Sequence, residues 1–174
     1  MNTPNYSTEY DAAIQAAAAE FLPQWQWQWL KAELIAESAL DPNACSNVGA
    51  QGLAQFMPAT WRNAIDALRF PEDADPCDPH YAIRAAAWYL AQLRKQWRAP
   101  RSEDDRRKLT QASYNAGFGN VLKAQQHAAA GATTYADIIK FLPAVTGLAN
   151  ASETTDYVVR IARIYSQLVT GASA

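Results

Sequence analysis

The sequence predicts a mainly α fold with little or no sheet. Apolar residues recur at helical spacing in most segments, and Ser, Asp or Pro residues stand where helices of ordinary length would begin. The pattern contains no convincing run of strands, no internal repeat and no interdomain linker. A chain of 174 residues with 49% apolar content is large enough to bury one core. We therefore expect residues 1–174 to form a single helical domain.

Two helices are expected at the start of the chain. A hydroxyl cap at Ser7 or Thr8 predicts a first helix that runs to about Phe21. The next segment, WQWQW, alternates with the period of a strand, but Leu34 and Glu37 continue it with helical spacing. An Asp-Pro pair then stops this second helix, because proline disfavours the helical conformation in the residue before it.

The remaining helices are predicted from their caps. Pro58 suits the first turn of one helix, while Asp78, Ser102 and Ser152 are expected to cap three others. Pro143 is expected to end a short helix, and TGLANAS at 146–152 is expected to be a loop before the final helix. The predicted spans are 58–70, 79–97, 102–116, 121–130, 135–142 and 153–171.

Charge and composition exclude several classes of partner. With 15 basic and 17 acidic residues the net charge is −2, which gives no electrostatic reason to expect a nucleic-acid or anionic membrane partner. No run reaches the roughly 18 apolar residues of a membrane-spanning helix. The first residues lack the basic and apolar regions of a signal peptide. We expect no membrane insertion, no nucleic-acid partner and a monomer.

The sequence offers no metal or cofactor motif. Cys45 and Cys77 lie outside any metal-ligand spacing, and both a single disulfide and two free thiols remain open. His80 and His127 have no neighbouring nucleophile or ligand pattern, so surface or packing roles are expected. No glycine-rich phosphate loop is present. We predict neither a metal nor a cofactor.

Glu37 is the best candidate for a general acid. It is expected at the end of an apolar helix face, before a loop that contains Gly49 and Gly52. Burial would disfavour its charged form and let it donate a proton to a leaving oxygen. On spacing alone, a solvated glutamate at a helix end is the more frequent case. Asp41 is the one nearby candidate for a second carboxylate, and its place before Pro42 favours a turn role.

Four motifs follow one another along the chain: Glu37-Ser38, SNVGAQGLAQFMP at 46–58, SYNAG at 113–117 and ETTDYV at 153–158. In this order they resemble the motifs of soluble-type lytic transglycosylases, a group similar to glycoside hydrolase family 23 within the lysozyme-like superfamily. The resemblance covers roughly residues 26–168. It implies a single lysozyme-like helical domain of the goose-type or SLT kind, with a core over 26–170 and an N-terminal helical extension over 1–25.

The resemblance implies a carbon–oxygen lyase that acts on peptidoglycan. Such enzymes cleave the β-1,4 bond between N-acetylmuramic acid and N-acetylglucosamine without water and leave 1,6-anhydro ends. One glutamate serves first as acid and then as base, which agrees with the missing second carboxylate. The alternative is a muramidase similar to goose-type lysozymes that hydrolyses the same bond. A non-catalytic wall-binding or virion module is a third reading, which the intact set of motif residues disfavours.

Carried over by position, the motifs imply a role for each matched residue. Glu37 matches the acid and base, and Ser46 the serine near the muramyl N-acetyl group. Tyr114 and Asn115 match residues that face the catalytic glutamate or the sugar. The other matched substrate-binding positions are Gln55 and Met57, which line the cleft, Glu153 near the subsite floor, and Tyr157 one helical turn later. For Gln55 and Tyr157, a role in packing alone is the open alternative.

One position departs from the usual pattern, because the common GLMQ reads GLAQ here, with Ala54 in place of methionine. This is expected to change packing under the loop without removing a catalytic group. The resemblance places the action on the cell wall, in the periplasm. Without a visible signal peptide, we expect delivery by a bacteriophage lysis system with a holin, by a virion, or by specialised export.

Overall fold

The computed structural model describes residues 6–171, and within this range it contains helices and no strand. The prediction of a mainly α fold is confirmed. Residues 1–5 of the expected N-terminal extension lie outside the described range. The helices are α1 Asp11–Phe21, α2 Trp27–Ser38, α3 Pro58–Leu68, α4 Pro79–Gln96, α5 Glu103–Ala116, α6 Phe118–His127, α7 Tyr135–Ile139, α8 Leu142–Thr146 and α9 Leu148–Gly171.

The chain divides into two compact units. Among the described residues, 6–89 and 161–171 form the first unit, and 90–160 form the second. That residues 26–170 act as one catalytic core stays a prediction. None of the described helices is long and apolar enough to cross a membrane.

In the first unit, α1 packs against α2. The Lys31 ammonium lies 2.5 Å from the Asp11 carboxylate, and both side chains are largely withdrawn from solvent. Removing either partner would leave a poorly solvated charge, so this pair fixes α1 on α2. The Trp29 and Tyr165 rings stack with centroids 3.6 Å apart and planes 2° from parallel. This stack holds the start of α2 against the last turns of α9.

In the second unit, α5 and α6 pack together, and α6 also packs against α7 and α8. Trp97, which precedes α5 in this unit, is almost completely buried. Its indole Nε1–H donates to Ser113 Oγ over 3.2 Å, and its ring meets Phe118 edge to face at 5.3 Å. Because Ser113 and Phe118 flank the last turn of α5, these contacts fix the segment that carries Tyr114 and Asn115.

Two predicted caps are confirmed. The Ser102 hydroxyl accepts the N–H of Asp105 at the start of α5, and Asp78 Oδ1 accepts the N–H of His80 over 2.8 Å at the start of α4. Both contacts satisfy a helix N–H that has no partner within the first turn.

Several predicted helix limits are wrong. The first helix begins at Asp11, while Ser7 Oγ accepts the N–H of Glu9 in a local turn. The sixth begins at Phe118, three residues early, because Gly117 with φ +84° already makes the turn.

The largest errors concern the segment around Pro143. Instead of ending one helix, Pro143 lies in the first turn of α8, where its missing N–H costs nothing. The predicted loop at 146–152 is mostly helical, since α9 begins at Leu148 directly after Gly147, whose φ is +83°. Ser152 therefore lies inside α9 and caps no helix.

Candidate active site

Glu37 lies in the last turn of α2 and is half-buried. The burial expected for Glu37 is only partial, because α2 ends one position later, at Ser38. The fully buried carboxylate of α2 is Glu33, one turn earlier, with 1% of its surface exposed. A half-buried group can both feel a low-dielectric surrounding and touch a substrate, which a fully buried one cannot.

A side-chain bond holds the following loop against the end of α2. The Ser38 hydroxyl lies 2.9 Å from the Leu53 carbonyl oxygen and 3.3 Å from that of Leu34 in its own helix. Ala39 ends the helix with a positive φ of 56°. The loop therefore begins just after Glu37 in the sequence, and the Ser38 hydrogen bond to Leu53 holds it against the same helix end.

The loop is closed by a network of short hydrogen bonds. Ser46 donates its N–H to the Ala50 carbonyl over 2.9 Å, and Ser46 Oγ accepts the Ala50 N–H over 2.9 Å. Gln51 and Phe56 exchange both backbone bonds, at 3.1 and 3.0 Å. Ser46 thus closes a tight turn, and its predicted contact with the substrate N-acetyl group is a separate role that stays a prediction.

Gly52 is required by its surroundings. Its φ is +76°, and a Cβ built on it would lie 1.9 Å from the carbonyl oxygen of Pro76. Its N–H donates to the Ala44 carbonyl over 2.9 Å. Only glycine allows the loop to approach the 76–77 backbone this closely.

Gln55 is held by its own loop. Its side-chain Nε2 donates to the Ala44 and Gly52 carbonyls, each over 3.0 Å, and its φ is +49°. Packing is therefore one role of Gln55. Met57 follows just before α3 and is 43% exposed, so its thioether side chain is available for apolar contact.

Tyr114 and Asn115 occupy the last turn of α5, and both are half-buried. Asn115 Oδ1 accepts the hydroxyl of Thr154, on α9, over 2.7 Å. This bond fixes the orientation of the Asn115 side chain against α9.

Three of the predicted residues line one cavity within the second unit. Its volume is about 530 Å³, and Asn115, Glu153 and Tyr157 all contribute to its wall. Glu153 is exposed and Tyr157 is buried apart from its cavity face. A smaller cavity of about 260 Å³ shares Asn115 and Glu153 with the first. The structure thus brings the third and fourth motifs together.

The sequence reading missed several residues of these cavities. Arg160 lies over the Tyr157 ring with its guanidinium carbon 5.7 Å from the ring centre. Its position seven residues after Glu153 places it on the same helix face, which is the signal that would have found it. The other missed lining residues are Ala116, Asn120, Thr146, Ala149, Asn150, Ser152, Thr154 and Asp156.

Asp41 has the turn role that its position indicates. Its Oδ1 accepts the N–H of Asn43 over 2.9 Å, closing a turn at the start of the loop. The two cysteines, for which a disulfide was one option, are free thiols. Burial raises the pKa of the Cys77 thiol, and the neighbouring Asp75 carboxylate raises it further.

Comparison with known proteins identifies the family. Residues 13–136 match the transglycosylase SLT domain. The chain belongs to the transglycosylase SLT family. Its match begins inside the segment 1–25 that the motifs leave out, and ends before Glu153. The proposed roles of Glu153 and Tyr157 therefore rest on the fourth motif and on the cavity.

Relatives of this SLT chain are named lytic murein transglycosylases. Over 164 residues, it is 29% identical to membrane-bound lytic murein transglycosylase F of Shewanella loihica, with 86% of this chain and 33% of that protein covered. The chain spans about a third of the length of this relative. These relatives are bacterial proteins, and a bacteriophage origin for this chain stays a prediction.

Solved structures confirm the SLT fold. An inactive mutant of lytic transglycosylase Slt from Pseudomonas aeruginosa superimposes with a TM-score of 0.74 and 25% identity, covering 95% of this chain and 25% of that one. The 70 kDa soluble lytic transglycosylase of Escherichia coli gives a TM-score of 0.72 at 23% identity, covering 93% and 24%. The predicted helical SLT fold is therefore correct.

Proposed function

We propose that this chain cleaves the β-1,4 bond between N-acetylmuramic acid and N-acetylglucosamine in peptidoglycan as a lytic transglycosylase, with Glu37 as its acid and base. The observation that carries the proposal is the placement of Glu37, half-buried in the last turn of α2 and followed by a loop that Ser38 binds to that helix end. Membership of the SLT family supports the assignment of this chemistry to Glu37.

The proposed reaction uses one carboxyl group twice. Protonated Glu37 gives its proton to the glycosidic oxygen as the bond from that oxygen to the muramyl C1 breaks. The resulting carboxylate then takes the proton of the muramyl 6-hydroxyl while O6 bonds to C1. The products are a free 4-hydroxyl and a 1,6-anhydro end, no water is consumed, and Glu37 returns to its protonated form.

This cycle needs no second carboxylate, in contrast to the pairs that conventional glycosidases use. The turn role of Asp41 supports it, since that carboxylate is engaged by the Asn43 N–H. The substrate N-acetyl group is proposed to assist at C1 in place of a protein nucleophile.

The cavity of the second unit has the chemistry for sugar binding. Asn115 offers amide donors, exposed Glu153 accepts from hydroxyl groups, and the Tyr157 ring presents an apolar face. We propose these as substrate contacts, together with Tyr114 beside Asn115. In the first unit the proposed contacts are Gln55, the exposed Met57 side chain and Ser46.

The proposed place of action is the peptidoglycan of the periplasm, with the chain acting as a monomer. Clearing of a peptidoglycan suspension by the purified chain tests the proposal. We expect steady clearing by the wild type and a loss of clearing for Glu37→Gln with unchanged circular dichroism. A wild-type chain that is folded and yet inactive on several peptidoglycans would refute the proposal and favour a non-catalytic wall-binding module.

A further inference from the structure

The tryptophan-rich segment forms a groove that the proposed reaction does not use. The groove lies within the first unit, where the end of α1 meets the start of α2, and its volume is about 610 Å³. At 1.5 Å per residue, Trp27 lies roughly 15 Å along α2 from Glu37. The groove is therefore separate from the helix end that carries the candidate acid. Its lining residues are Gln15, Ala18, Ala19, Pro23, Trp25, Gln26, Trp27 and Gln28.

The lining combines three glutamine side chains with apolar residues and carries no charged side chain. The side-chain amides of Gln15 and Gln28 make no hydrogen bond to any residue that the structure describes. Gln26 Oε1 accepts the Tyr165 hydroxyl over 2.5 Å, which leaves the Gln26 amide donors directed away from that bond. Three primary amides in one groove can thus both donate to and accept from a neutral polar ligand.

Two indole rings complete the groove, and both are held in place. Trp25 is buried apart from its groove face, and Trp27 is half-buried with the Lys31 ammonium 5.9 Å from its ring centre. Lys31 is itself fixed by Asp11. The neighbouring Trp29 stacks on Tyr165, the residue that orients Gln26. Of the three alternating tryptophans, Trp29 therefore packs within the first unit, whereas Trp25 and Trp27 line the groove.

We propose that this groove is a second saccharide-binding site, which takes a neutral N-acetylated sugar unit. Amides match the hydroxyl and acetamido groups of such a sugar, and indole faces match its C–H surfaces. The uncharged lining disfavours a peptide with free carboxylates, because these would lose hydration without a counter-charge. Naming a peptidoglycan glycan strand as the natural occupant rests on the proposed function, whereas the saccharide chemistry of the groove does not.

Binding is tested on the full chain carrying Glu37→Gln, titrated with a tetramer of N-acetylglucosamine and followed by nitrogen–proton NMR. We expect saturable shifts of the Gln15 and Gln28 side-chain amides and of the Trp27 indole N–H. Gln28→Leu should weaken the affinity measured at these signals roughly fivefold, as expected for loss of one or two hydrogen bonds. Gln24→Leu is the matched control, because Gln24 is exposed beside the groove and does not line it.

Two results would overturn the inference. One is the absence of shifts at Gln15, Gln28 and Trp27 at millimolar tetramer, and the other is an equal response to a short neutral peptide. Circular dichroism of each variant separates a loss of binding from a loss of folding. If the wild type forms no anhydro ends but the tetramer still binds here, the proposed reaction fails and the groove assignment stands. If the wild type forms anhydro ends but the tetramer causes no NMR shifts at the groove residues, the groove assignment is refuted and the proposed reaction stands.

Discussion

The hydroxyl of Thr154 donates to Asn115 Oδ1 over 2.7 Å, and this bond joins α9 to the last turn of α5 within the second unit. Thr154 is 1% exposed, so its hydroxyl has little access to water. The contact therefore sets which side of the Asn115 amide faces the cavity shared with Glu153. Thr154 belongs to the fourth motif, which gives it no role of its own. In the structure it is the positioning residue for Asn115.

Replacing Thr154 by valine should lower both stability and activity. The isosteric change removes the hydroxyl donor, which costs about 1 kcal/mol of unfolding free energy. With the amide free to turn over, we expect kcat/KM for anhydro-end release to fall roughly threefold to tenfold. Urea unfolding and product release measure the two effects. Thr154→Ser retains the hydroxyl, and equal losses in the serine and valine variants would contradict a role for the bond.

Gly52→Ala should destabilise the protein far more than Gly49→Ala. Both residues have positive φ, at +76° and +89°, so each change carries about 1–2 kcal/mol of backbone strain. Only at Gly52 does the new Cβ meet the Pro76 carbonyl oxygen, at 1.9 Å, whereas nothing lies within 4 Å at Gly49. We expect the Gly52 variant to lose more than about 4 kcal/mol in chemical denaturation. Similar denaturation midpoints for the two variants would show that Gly52 does not approach the Pro76 carbonyl this closely in solution.

Replacing the two glutamates of α2, Glu33 and Glu37, by glutamine should have different effects. Glu37→Gln removes the proposed proton donor and should abolish product formation while leaving the melting temperature nearly unchanged. Glu33→Gln changes the fully buried group one turn earlier, so its effect should be on stability, with activity per folded molecule retained. Product release measured alongside thermal unfolding distinguishes them. Appreciable activity in folded Glu37→Gln would mean that another group is the acid.

The Cys77 thiol should react slowly with a maleimide near pH 8, because burial and the Asp75 carboxylate raise its pKa. A raised pKa means a smaller thiolate fraction at a given pH, and the thiolate is the reactive form. In a Cys45→Ser background, adding Asp75→Asn removes the carboxylate charge and should speed labelling. The labelling rate against pH should shift toward lower pH. Unchanged profiles would show that Asp75 does not act on this thiol.

Helices with a strong cap or a sharp stop were predictable from the sequence. Ser102 and Asp78 lie where their side chains predict them, because a cap bond is decided within a few residues. The helices around Pro143 were not predictable, because proline is favourable both just after the end of a helix and in the first turn of the next one. Tertiary packing selects between these two positions, and a local sequence pattern does not contain that information.

The candidate site was predictable in its motifs and only partly in its geometry. The half-exposure of Glu37 depends on where α2 ends, which spacing alone leaves uncertain by about a turn. Arg160 could have been found from its spacing on the helix face of Glu153, whereas Thr154 acquires its role from Asn115 on α5, which no local signal indicates. Ala54, where methionine is usual, is fully buried, so this departure concerns packing under the loop, as expected.

The mass of the soluble products from digested peptidoglycan tests the central claim most directly. The purified chain is incubated with sacculi, and the released muropeptides are compared by mass spectrometry with those from a hydrolytic muramidase. The mechanism through Glu37 predicts products lighter by one water molecule, with 1,6-anhydro ends. Products that carry only reducing ends would contradict it and assign the chain to hydrolysis of the goose-type lysozyme kind.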